Sequence, residues 1–84
     1  MTKTNSEYLG SLRVVRSQRA AAVTHLAAVS GFSLVGCTLR ASGDVVSLWE
    51  SLQAAIASAD AAGDIVGGDA LAALSGRLLR IAQP

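Results

Sequence analysis

Two neighbouring stretches carry the question of fold: Phe32-Ser33-Leu34-Val35-Gly36-Cys37-Thr38-Leu39 and Asp44-Val45-Val46-Ser47-Leu48-Trp49-Glu50. The first is dense in β-branched and large apolar residues and too short for another helix, so it reads as a strand. Between the two, Arg40-Ala41-Ser42-Gly43 reads as a turn. The second stretch is ambiguous. Val45, Val46, Leu48 and Trp49 suit a third strand, and they suit the opening of a helix equally well, because periodicity alone does not separate the two over so short a run.

Upstream, residues 9–15 (LGSLRVV) alternate Leu12 and Val14 with Ser11 and Arg13, a short strand signal. Ser17 offers an N-cap for a helix over residues 18–30, whose apolar positions are Ala22, Val23, Leu26 and Val29, and Gly31 can end it. Downstream, Ser51 can cap a second helix with Leu52, Ala55, Ile56, Ala59, Gly63 and Val66 on its apolar face. Gly67-Gly68 interrupts that pattern, residues 69–74 form a short helical stretch, and residues 77–82 (RLLRIA) are a last strand candidate. The resulting order, βαββαβ, is that of an α+β, ferredoxin-like antiparallel sheet with two helices on one face. The alternative is an all-helical bundle over residues 7–30, 44–62 and 69–82, which the alanine content favours on propensity. The residues alone leave both open.

At 84 residues there is room for one domain, expected over residues 9–84 behind a loose lead-in at residues 1–8. A chain this short needs support from disulfides, metal or oligomerisation. One cysteine, Cys37, excludes an intramolecular disulfide, and one histidine, His25, leaves no metal-site spacing. Oligomerisation is the remaining support. Hydrophobic residues make up 51% of the chain, but much of that is alanine, which gains little per contact. Seven basic against six acidic residues, net charge +1, give no footprint for nucleic acid. Lys3, Arg13, Arg16 and Arg19 make the first quarter more basic, as a solvated or subunit-contact edge. No apolar run reaches the ~18 residues of a membrane span. Leu34-Val35-Gly36-Cys37 resembles a lipoprotein cleavage box, but the segment before it is long and broken by Thr24, His25 and Ser30, unlike a secretory core. The expectation is a cytoplasmic protein with a buried, reduced thiol.

Catalysis is hard to assemble from these residues. Ser42, His25 and Asp44 can be written as a triad, yet nothing in the sequence orders them. His25 reads as a helix-edge or subunit-contact residue, Cys37 as an inert packing residue, and Trp49 as a core or subunit-contact anchor. Gly67-Gly68-Asp69 lacks the strand, lysine and Ser/Thr context of a phosphate loop. No catalytic residue, cofactor or metal is expected.

From Leu9 onward the chain resembles the single-domain shell proteins of bacterial microcompartments. The residues carrying the likeness are Leu9-Gly10, Ala20-Ala21-Ala22, Leu34-Val35-Gly36, Ser42-Gly43, Val45-Val46, Ala54-Ala55-Ile56 through Ala61-Ala62-Gly63, and Ile81-Ala82-Gln83-Pro84. It departs from the family at His25, where an acidic residue is usual, near Val29, where a helix-edge lysine is usual, and around Glu50-Ser51. The resemblance implies the βαββαβ order and a cyclic homo-hexamer that works as a shell tile. It also implies a central pore for small polar metabolites, lined by Arg40, Ala41, Ser42 and Gly43. Subunit contacts are expected at Arg13, Arg16 and Trp49. The implied partners are other shell proteins and encapsulated enzymes, with no nucleic acid and no membrane. A rival resemblance lies in residues 31–36 (GFSLVG), similar to a motif in the small F subunit of rotary vacuolar-type ATPases, with residues 20–23 as its first strand. A small all-helical adaptor is the third reading.

Overall fold

In the computed structural model, which describes residues 8–82, the chain runs strand, helix, strand, strand, helix, helix. β1 (Tyr8–Arg13), β2 (Phe32–Val35) and β3 (Thr38–Ser42) form an antiparallel sheet in the order β1-β3-β2, so β3 is central. α1 (Arg16–Ala21) continues into one wider π-helical turn (Ala22–Leu26), and α2 (Val45–Ala61) and α3 (Ile65–Ala82) follow. The domain is α+β on an antiparallel sheet. Residues 1–7 and the tail Gln83-Pro84 lie outside the described residues, and Tyr8, assigned to the lead-in, already begins β1.

Two expected strands are helix. Residues 44–50 open α2 because Asp44, in extended backbone, accepts at Oδ2 from the Ser47 amide (2.9 Å) and the Ser47 hydroxyl (3.2 Å). That N-cap resolves the ambiguity toward helix, and Ser51 lies inside α2 instead of starting it. Residues 77–82 are the last turns of α3. Leu71, Leu74, Leu78 and Ile81 recur at intervals of three and four and pack into the core, a period that a strand cannot satisfy. Gly67-Gly68 sits in the first turns of α3 without breaking it. Among the described residues the sheet therefore has three strands, and three helices cover one face of it.

The strand read over residues 32–39 is a hairpin. Gly36, at φ 61°, and Cys37 make a two-residue turn between β2 and β3. This moves residues 40–42 out of the expected turn and into the central strand, and it places Cys37 at an exposed tip instead of in packing.

Strand pairing aligns Leu12, Leu39 and Leu34 in one row and Gly10, Ala41 and Phe32 in the next, all on the covered face. Leu12, Leu39 and Ala41 are buried there in one cluster with Leu26, Leu48, Leu52 and the α3 leucines. Gly10 permits α3 to close over β1, since a Cβ there would stand 2.7 Å from Ile81 Cγ2. The other face of the sheet carries Ser11, Arg13, Ser33, Val35 and Arg40, all exposed. At the far end of α2, Gly63 (φ 76°) stops the helix. Its N–H donates to Asp60 O (3.0 Å) and the Asp64 N–H to Ala59 O (2.8 Å), which is a Schellman motif. The turn sends α3 back along α2, and the Gln53 Nε2 donates to Ser75 Oγ (3.1 Å), satisfying the buried Ser75 hydroxyl and setting their register.

Candidate functional site

The sheet's alternation separates the four residues expected around a pore. Arg40 is exposed on the open face, and Ala41 is sealed in the core on the opposite one. Ser42 and Gly43 do come together, in a cleft of about 380 Å³ between the end of β3 and the start of α2. Its walls bring the hydroxyl-bearing residues Ser30, Ser42, Ser47 and Ser51 around Asp44. Gly31 shapes the cleft: its carbonyl accepts from the Ser42 N–H (2.8 Å) while its φ is +95°. A Cβ there would lie 2.6 Å from Leu48 Cδ2 and 2.9 Å from the Ser42 carbonyl oxygen. Such a cleft can exchange hydrogen bonds with a small polar molecule. Asp44 Oδ2 is engaged by both the amide and the hydroxyl of Ser47, and among the described residues no histidine or cation lines the walls.

His25 is elsewhere. Carried by the π turn of α1, its Nε2 lies 3.0 Å from Asp64 Oδ2, with the His25 side chain only 6% exposed. Asp64 also caps α3, its Oδ1 accepting from the Gly67 N–H at 2.9 Å. The His25 hydrogen bond, and after it the Gly67 amide, hold the Asp64 carboxyl below its ordinary value, partly opposed by desolvation. The Ser42, His25, Asp44 grouping is therefore not formed, and His25 joins α1 to the α2–α3 connection. Sequence reading missed this junction. The capping half was legible, since an Asp lies directly before Ile65-Val66 and three residues ahead of Gly67. The histidine half had no local signal, because its partner is 39 residues away.

The residues expected at subunit contacts do not share one surface. Arg13 and Arg16 are exposed around the junction of β1 and α1, near the hairpin tip, where Arg19 Nε donates to the Gly36 carbonyl at 2.9 Å. Trp49 is on α2, which starts from the other end of β3. One helical turn from the Gln53–Ser75 bond, Trp49 (38% exposed) and Leu79 (39%) stand level on the α2–α3 pair. Further apolar side chains are open at Val15, Val23, Val35, Val46, Ile65 and Val66. Beside β2, a groove of about 240 Å³ exposes Phe32 and Leu34 between the sheet and the π turn.

Among the described residues, no group of three or more His, Cys, Asp or Glu side chains is placed to hold a metal ion, and no helix is long and apolar enough to cross a membrane. Comparison with protein-family models, curated proteins and solved structures finds no match to this chain.

Proposed function

We propose that this chain is a homomeric structural module, whose work is the association of its own copies, with the microcompartment shell tile as the specific form that the sequence resemblance implies. The observation that carries the proposal is apolar surface left open around a lean core. The largest fully buried side chains are all leucine, much of the remaining core is alanine, and six valine and isoleucine side chains are at least half exposed. Covering that surface is favourable by about 25 cal/mol per Å² of apolar area, and a chain of 84 residues has few other reserves. The pore once expected at residues 40–43 is not part of this proposal, because Ala41 is enclosed and Arg40 faces the other way. A tile built on a complete βαββαβ sheet would also require residues 77–82 as strand, where α3 has its final turns.

Sedimentation velocity across a micromolar-to-nanomolar series tests the reading. Species well above the 8.5 kDa of one chain are expected, with a mass of six chains if the tile form holds. A folded monomer at every concentration overturns the proposal.

A further inference from the structure

We infer that the free edge of β2 is self-complementary and that a second copy of this chain pairs with it about a two-fold axis, joining two three-stranded sheets into one. This rests on the homomeric reading above and gives that reading an interface.

The hydrogen-bond phase of the hairpin comes first. A two-residue connection makes Val35–Thr38 the closing hydrogen-bonded pair. Every second pair then follows, Ser33–Arg40 and Gly31–Ser42, and the last is seen directly in the 2.8 Å bond from the Ser42 N–H to the Gly31 carbonyl. The odd-numbered residues thus direct their backbone groups at β3. The N–H and C=O groups of Phe32 and Leu34 turn the other way, toward an edge where no strand of the described residues meets them. The side chains of the same two residues point to the core face, are only partly buried, and border the open groove beside Val23 and Ala27.

The two edges of the sheet differ in protection. β1 has a register irregularity between Tyr8 and Gly10, carries exposed Arg13, and is packed by α3. Bulges and charges of this kind block edge-to-edge pairing. β2 has neither, and residues 29–39 contain no charged residue and no proline. The charges nearest to it are Arg40, on the next strand and the opposite face, and Arg19, whose Nε meets the Gly36 carbonyl at the hairpin tip, beyond the last residue of β2. Two copies paired through β2 would hold their Arg40 residues three strand spacings apart, about 14 Å. That exceeds the ~8 Å screening length at physiological salt, so like charges do not oppose the approach.

The register selects the occupant. In antiparallel pairing, opposed residues share a face, so a two-fold between β2 strands must bring inward residues opposite inward residues. With Ser33 on the axis, Phe32 opposes Leu34 of the second copy and the reverse. These are the two residues whose backbone groups face the edge that no strand of the described residues meets, so each such pair exchanges both of its bonds. With Leu34 on the axis, Phe32 would face Gly36 and lose an apolar cross-strand partner. A four-residue edge is small beside the roughly 1,200 Å² of a stable interface. Val23 and Ala27 on the groove wall must therefore meet their copies as well, and association in the micromolar range is expected.

Cross-linking reads this geometry. In a Cys37→Ser background, Ser33→Cys places two thiols across a non-hydrogen-bonded pair with Cα atoms about 4.5 Å apart, inside the ~4.4–6.8 Å range for a disulfide. Val35→Cys, in the same background, leaves its two copies about 13 Å apart, out of reach. Under mild oxidation the Ser33→Cys protein should become disulfide dimer at least ten-fold faster than the Val35→Cys protein. Leu34→Pro, which removes an outward N–H and no ladder bond, should shift the sedimenting species toward monomer with unchanged far-UV circular dichroism. Equal oxidation rates, or a folded Leu34→Pro protein that still associates, overturn the β2 edge while leaving the homomeric reading standing. A wild-type protein that stays monomeric removes both.

Discussion

Replacing Gly67 and Gly76 by alanine, one at a time, puts the same change at two points of α3 and should give opposite signs. At Gly76 an added Cβ meets nothing within 4 Å. Alanine in an unobstructed helix interior is favoured over glycine by about 1 kcal/mol, largely through the unfolded chain. At Gly67 the same methyl group runs into the Asp64 carboxylate, 2.6 Å from Cγ and 3.0 Å from Oδ1. The carboxylate cannot swing aside without leaving the Gly67 N–H at 2.9 Å and His25 Nε2 at 3.0 Å. An imidazole only 6% exposed and stripped of its partner is costly, at roughly 1–3 kcal/mol. That loss exceeds the helical gain, so Gly67→Ala should sit about 1–3 kcal/mol below Gly76→Ala. For a domain of this size 1 kcal/mol moves Tm by about 4–8 °C. Thermal melts by circular dichroism at neutral pH should place Gly76→Ala above wild type and Gly67→Ala at or below it. A Gly67→Ala protein as stabilised as Gly76→Ala would refute the seating of Asp64, and with it the His25–Asp64 junction.

The pH dependence of stability has a defined sign at Asp64. Its folded-state pKa lies below the ordinary 3.8, so its contribution is complete above that value and disappears as pH falls through the folded one. Urea midpoints should drop below about pH 4, and Asp64→Asn should remove part of that drop; an unchanged acid limb in the variant would contradict the assignment. Gly31→Ala forces a side chain into φ +95° and against Leu48 and the Ser42 carbonyl, so a loss of at least about 1–2 kcal/mol is expected by urea titration; a neutral outcome would mean the turn is built differently. Cys37 is exposed at the hairpin tip, so a thiol reagent should modify native protein about as fast as unfolded protein; strong native protection would restore the buried-thiol expectation.

Each of the two sequence readings held for part of the chain. Leu12 and Val14 alternate with polar residues as an edge strand should, and both are buried. The helical bundle alternative placed helices at residues 44–62 and 69–82, close to α2 and α3. What misled the strand assignments was length. Residues 44–50 and 77–82 are short apolar runs whose type is set by what lies outside them, the Asp44 cap in one case and the leucine spacing from Leu71 in the other. The hairpin was missed because Gly36-Cys37 is a weak turn pair, whereas Arg40-Ala41-Ser42-Gly43 ends in a strong one. The Ser-Gly signal was real, but it marks the exit from β3 into α2. Of the candidate site, Ser42 and Gly43 were legible. Ser30, Ser47 and Ser51 were not, because only the close approach at Gly31 brings the loop before β2 to the start of α2.

The helical fate of residues 77–82 also bears on how copies of the chain can meet. A fourth strand would have extended the sheet and changed which strand lies at its margin. As helix, the same residues bring Ile81 down onto Gly10, so α3 covers the inner face at β1 while the inner face at β2 stays open beside the π turn. Apolar cover is thus distributed unevenly across one small sheet, and the deficit coincides with the margin that has no bulge, no charge and no proline. A ring of six would use two different surfaces of each subunit, whereas pairing through β2 uses one surface twice. The surface best prepared by the fold is the second kind. Any larger assembly that includes it must therefore contain a two-fold relating β2 edges, and in such an assembly the dimer is the unit that adds.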